Sequence, residues 1–169
     1  MSSSTIPSGV PADKRKSDKF LSFSLNEMTY GVDVLKVREI IAHHPIRPVA
    51  DFPPFIKGII NLRGKIIPVI DLRLYFKMPE AEATEFSAII LVNREHEGQK
   101  ASIGLLVDYV NNVMNVDFAN MERIKIPGMD EEQKSYIIGA VADNDTEIIL
   151  LDVDSLLTKE EVEKIAEEL

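Results

Sequence analysis

The residues of this chain whose types could do chemistry are three histidines, a set of aspartates at the ends of apolar runs, and one arginine in a tight turn. His43 and His44 are adjacent, so on a strand they point to opposite faces and cannot share a metal ion. His96 falls in the polar stretch from Asn93 to Lys100, and no metal site is expected from the three. Asp33, Asp71, Asp108 and Asp152 could in principle pair as acid and base. Aspartate at the end of a strand more often closes a turn or caps a helix, and that is the role expected here. The chain lacks a G-x-S-x-G elbow, a phosphate loop, a G-x-G-x-x-G fingerprint and an H-E-x-x-H pair. It also has no cysteine, which removes a thiol nucleophile and thiolate metal sites. The expectation is a protein that is not an enzyme and carries no cofactor.

What remains is surface chemistry. In the turn Asn61-Leu62-Arg63-Gly64, Gly64 supplies the positive φ that a tight hairpin wants. Turn geometry does not account for Arg63. Glu39 lies near the end of another β-run and offers the opposite charge, so an exposed Glu39–Arg63 pair is expected. An exposed pair contributes little stability; its use would be in choosing and orienting a partner. Val37 and Val110 are the apolar candidates at equivalent places in the two halves of the chain.

Those side chains must be positioned by short β-type runs: 20–25, 30–41, 58–62, 65–72, 87–93, 101–116, 136–142 and 147–153. Such runs, separated by turn residues, predict an all-β sandwich or barrel. Two segments recur in order. Gly31 is followed six and nine residues on by Val37 and Ile40, and Gly104 by Val110 and Val113. Gly58 precedes Asp71 by 13 residues, and Gly139 precedes Asp152 by the same interval. The apolar positions Ile67, Val69, Ile70 and Leu72 match Ile148, Leu150, Leu151 and Val153. The offsets are 73 and 81 residues. Two similar small β-barrels are expected, over about 20–80 and 84–153, with exchange of strands between them left open. Gly31, Gly58, Gly64, Gly104 and Gly139 are the glycines expected to matter structurally.

Helical periodicity is confined to the end. Thr158 and Glu161 form the letters of a capping box, and Val162, Ile165, Ala166 and Leu169 make one stripe, predicting a helix over 158–169. Short helical turns are expected after Asp71 and Asp117. Residues 1–19, rich in Ser, Pro and charge, read as a flexible tail.

The chain of 169 residues carries a net charge of -9, with +2 over residues 1–19 and -3 over 158–169. An acidic body without a basic stripe excludes a nucleic-acid binder. Its apolar runs are far shorter than the roughly 18 to 20 residues that cross a bilayer, and no secretory leader precedes the first run, so a cytoplasmic protein without direct membrane insertion is expected.

Three stretches carry a family resemblance: Tyr30-Gly-Val-Asp-Val-Leu-Lys-Val-Arg-Glu-Ile40, Pro54-Phe-Ile-Lys-Gly58, and Asn61-Leu-Arg-Gly-Lys-Ile-Ile-Pro-Val-Ile-Asp-Leu-Arg73. Together they resemble the CheW family, the coupling proteins of bacterial chemotaxis, over about residues 19–165. The resemblance implies a mainly β fold of two packed five-stranded SH3-like barrels with a short C-terminal helix. It further implies an adaptor that joins the cytoplasmic tip of methyl-accepting chemoreceptors to the regulatory domain of the histidine kinase CheA. Other CheW copies in rings under the receptor array would be further partners. By the same resemblance Val37, Glu39, Arg63 and Val110 match receptor-facing positions; it does not place the kinase-facing residues, for which Arg123 is named apart from it. A coupling module of a different pathway, such as twitching motility or second-messenger control, is the alternative that the motifs separate poorly. The segment after Val116 departs from the family pattern.

Overall fold

The computed structural model describes residues 18–42, 44–121 and 130–168. Ten strands account for most of it: β1 (Lys19–Leu25), β2 (Met28–Asp33), β3 (Val37–Ile41), β4 (Ile56–Leu62), β5 (Lys65–Asp71), β6 (Ala88–His96), β7 (Gln99–Val107), β8 (Tyr109–Asn115), β9 (Ile137–Asp143) and β10 (Thr146–Leu151). They form two five-stranded sheets, ordered β8-β1-β2-β10-β9 and β3-β6-β7-β5-β4. Strand positions correspond one to one between the sheets, which gives the molecule an internal two-fold likeness.

The likeness holds to the residue. Gly31 of β2 lies opposite Leu150 of the parallel β10, and Gly104 of β7 lies opposite Val69 of the parallel β5. These are the offsets of 73 and 81 read from the chain. In β4 and β9, Gly58 pairs with Val69 and Gly139 with Leu150. Asp71 N–H donates to Phe55 O and Asp152 N–H to Tyr136 O, both at 2.8 Å.

Each sheet draws on both halves of the chain. The first takes the hairpin β1–β2 with β8, β9 and β10; the second takes β6–β7 with β3, β4 and β5. The crossing happens where two long apolar runs break. The run 30–41 is interrupted by a 3-10 turn, Val34–Lys36, with the Asp33 side chain accepting the Leu35 N–H at 2.9 Å. The run 101–116 is interrupted at Asp108. After each break the next strand joins the other sheet, so neither run is one continuous strand.

Three apolar clusters follow. One fills the first sheet's curl (Phe20, Met114, Val116, Val141, Ile148, Leu150) and one the second's (Ile60, Ile67, Val69, Ile89, Leu91). The third lies between them and takes Phe23, Val32 and Ile149 from one side with Ile70, Ile90 and Leu105 from the other. Tyr30, Tyr75, Phe76 and Tyr136 stack within it, with Tyr30 and Phe76 centroids 5.2 Å apart. Burial pushes the Tyr30 and Tyr75 hydroxyls up to about 12.

Helices are few. Asp71 caps α1 (Leu72–Tyr75), accepting from Arg73 N–H and Leu74 N–H, and Asp117 accepts from Ala119 N–H at the 3-10 turn Phe118–Asn120. The helix α2 (Glu131–Tyr136) was not legible, because its polar residues have no apolar period. The last helix, α3 (Lys159–Glu168), opens with a reciprocal capping box: Thr158 N–H to Glu161 Oε1 at 2.7 Å and Glu161 N–H to Thr158 Oγ1 at 3.1 Å. Val162 and Ile165 pack into the central cluster, whereas Ala166 is exposed and Leu169 lies outside the described residues. The expected tail is shorter at its end, since Lys19 already pairs with Asn115 in the sheet; residues 1–17 lie outside the description. Among the described residues, no helix is long and apolar enough to cross a membrane.

Candidate functional site

The second sheet places β3 at one edge and the β4–β5 hairpin at the other. Glu39 sits on β3 and Arg63 at the tip of that hairpin, yet their side chains meet. Arg63 Nη2 donates to Glu39 Oε1, and Nη1 lies 3.5 Å from Oε2. The pair therefore spans the seam where the curled sheet closes on itself. Both groups face water: the Arg63 side chain is 66% exposed and that of Glu39 35%. The hydrogen bond from Arg63 holds the Glu39 carboxyl below its usual range against a weaker effect of burial, and the charges of Arg63 and Arg38 add to it. Glu39 in turn raises the Arg63 guanidinium.

The backbone under Arg63 sharpens the point. Arg63 has φ +50° and Gly64 φ +83°, the pattern of a two-residue hairpin turn with both residues left-handed. At the matching place in the β9–β10 hairpin, 81 residues on, stands Asn144 with φ +58°. Asparagine tolerates that region far better than arginine. Arg63 therefore occupies its position for its side chain, not for the turn. Glycine is required at two of the expected places. At Gly64 a Cβ would meet nothing within 4 Å, so φ alone asks for glycine. At Gly58, φ +154°, a Cβ would fall 2.2 Å from Arg47 O, where the isolated Arg47–Ile59 bridge covers the outer edge of β4.

Val37 begins the edge strand β3, and Val110 is the second residue of the edge strand β8. Val37 lies opposite Val92, with a bulge between it and Glu39, and Val110 lies opposite Phe23. Both are half-buried and lean on the central cluster from different sheets. Thus the structure brings Glu39 and Arg63 into contact and sets Val37 and Val110 at equivalent positions of opposite edges. Arg123 lies outside the described residues.

Reading the chain missed three polar features. Asp108 is not a cap: it binds Arg73 through Nε at 2.9 Å and Nη2 at 2.5 Å, and accepts the Asn26 N–H at 2.7 Å. Lys36 reaches Asp154 at 2.8 Å. Arg94, only 2% exposed, donates to Leu156 O at 2.6 Å and Leu157 O at 3.0 Å. The offset of 81 that links Arg73 to Asp154 was a signal available for the first two; none marked Arg94, in what read as a polar loop.

The CheW-like domain model matches residues 19–161, nearly the whole described chain. The chain belongs to the CheW-like domain family. It is 34% identical to the chemotaxis protein CheW of Klebsiella aerogenes, covering 89% of this chain and 88% of that one. It is 29% identical to the chemotaxis protein CheW of Bacillus subtilis, covering 89% and 94%. Among solved structures it is similar to the scaffolding protein TtCheW of Thermoanaerobacter tengcongensis, at 36% identity and TM-score 0.73 over 86% of this chain and 95% of that one. The likeness to TtCheW bears out the mainly β architecture described above.

Proposed function

We propose that this chain is a non-enzymatic scaffold of bacterial chemotaxis, joining the cytoplasmic tip of methyl-accepting receptors to the regulatory domain of the kinase CheA. Membership of the CheW-like family and near full-length likeness to the scaffolding protein TtCheW support the role. The observation that carries the site is the exposed Glu39–Arg63 pair, held across the seam by an arginine in a left-handed turn position. Val37 and Val110 supply apolar contact on either side of the shared core, and receptor engagement at these four residues places the protein at the membrane-associated array through its partners. Further copies of the family would extend the assembly into rings. A scaffold transmits a receptor state only through unequal affinity for the states of its partners, so many weak contacts acting together suit the role.

The test is Arg63→Ala. Its unfolding should match that of the parent, because the side chain is in water. Binding to a receptor-tip fragment, followed by amide NMR titration, should weaken by about tenfold or more, and receptor control of the kinase should be lost. Loss of cooperative unfolding would make Arg63 structural; unchanged tip binding would remove it from the site.

A further inference from the structure

Each edge strand that carries a candidate valine is tied, just before that valine, to the opposite sheet. Lys36 is the residue before Val37, and its Nζ binds Asp154, which follows β10 of the first sheet. Asp108 stands two residues before Val110 and binds Arg73, which follows β5 of the second sheet. Both carboxylates also hold a hairpin backbone: Asp108 takes the Asn26 N–H at 2.7 Å, and Asp154 takes the Glu95 N–H at 2.8 Å. Asn26 and Glu95 are equivalent, each lying four residues beyond the partner of Gly31 or Gly104. The two halves have thus built the same three-part joint with acid and base exchanged, since Arg73 and Asp154 are related by the offset of 81.

These joints differ from ordinary surface pairs. Side-chain exposures are 16% and 31% for Arg73–Asp108, against 66% and 45% for Lys77–Asp130. Arg73 is the more constraining of the two cations. Its fork engages both Asp108 oxygens while Nη1 reaches Pro79 O at 3.3 Å, whereas Lys36 makes a single point contact.

We propose that Arg73 and Asp108 are positioning residues for receptor binding: their joint fixes where the chain passes from β7 of the second sheet to β8 of the first, and so where Val110 stands relative to Val37. This rests on the receptor-tip reading of Val37 and Val110. Charge alone is not the requirement; the fork geometry is.

The experiment compares the parent with Arg73→Lys, which keeps the charge, and with the exchanged pair Arg73→Asp with Asp108→Arg, which copies the polarity of the other joint. Receptor-tip affinity and the Val37 and Val110 methyl resonances are measured on each. Arg73→Lys is expected to bind the tip about tenfold more weakly, to shift the Val110 methyls and to leave those of Val37 in place. The exchanged pair is expected to recover most of the lost affinity. Parent-like tip binding by Arg73→Lys, or methyl shifts spread equally over both valines, would overturn the positioning role. Failure of the parent itself to bind the tip would instead overturn the receptor reading, so the two failures are distinct.

Discussion

Leu25 and Arg94 occupy the same place in two copies of one hairpin. Each lies three residues beyond the partner of a matching glycine, Ser22 opposite Gly31 and Leu91 opposite Gly104. Leu25 is fully buried and ends its strand, and the turn follows at once. Arg94 is equally enclosed, but its strand runs two residues further, through Glu95 opposite Lys100 and His96 opposite Gln99. The longer hairpin reaches over the segment after β10, where Arg94 feeds the carbonyls of Leu156 and Leu157. Leu157 itself has φ +71°, and its N–H is taken by the Tyr75 hydroxyl at 2.9 Å. A guanidinium in one half therefore does what apolar packing does in the other, and it does so where the chain must turn sharply into α3. Burial lowers the Arg94 pKa, opposed by the charge of Asp154, and Nη1 is without a hydrogen-bond partner.

The comparison breaks most directly at Arg94. If enclosure were all that mattered, Arg94→Leu would be neutral, because it recreates Leu25. We expect instead a loss of about 3 kcal/mol, as two buried carbonyls lose their donors and the strained Leu157 loses its hold. Urea unfolding with the helical signal of α3 followed separately would show the helix leaving first. An unchanged midpoint would mean that the carbonyls find other donors and that the two hairpins are equivalent after all.

A finer contrast lies at the glycines themselves, where a parallel strand approaches in each sheet. A Cβ on Gly104 would stand 2.8 Å from Ile89 Cγ2 and 3.4 Å from Val69 Cγ2, both on stiff branched side chains. On Gly31 the nearest atom would be Leu150 Cδ2 at 3.2 Å, the far end of a side chain with room to turn. Gly104→Ala should therefore destabilise by about 2 kcal/mol and Gly31→Ala by well under half of that. Equal losses in thermal unfolding would show that the two sheets yield alike.

These pairs also explain what the chain disclosed. The repeat was legible because it rests on local needs: a small residue where strands crowd, and an aspartate to cap the turn after β5 and β10. Arg63 was legible as a misfit, since Asn144 marks what the same turn prefers. The exchange of hairpins between sheets was only left open, because an apolar run has the same alternation whichever sheet it joins. Arg94 was hidden for the opposite reason. Its charge ended the apparent run at Asn93, although the strand continues to His96.

The smallest effect, and the one that separates two neighbouring carboxylates, is in acid. At Asp108, burial raises the pKa, but the hydrogen bonds from Arg73 and the Asn26 N–H together outweigh it and leave the folded value below the usual one. At Asp71, only 3% exposed, burial wins over the backbone donors of its cap and the folded value is raised. The signs are therefore opposite. Asp108 adds stability that is complete above the unfolded value of about 4 and is lost as pH falls through the lower folded value. Asp71 withholds stability at neutral pH and returns it as pH falls through its raised folded value toward the unfolded one. Asp108→Asn should flatten the acid limb of a stability profile below about pH 4, by about 1 kcal/mol or less for so partly exposed a pair. Asp71→Asn, which keeps a capping side chain, should steepen the fall in stability just above about pH 4, where the parent's raised carboxyl takes up its proton. The same slope in both variants would mean that neither joint nor cap is coupled to protons, and that the polarity difference between the two halves of the molecule is geometric alone.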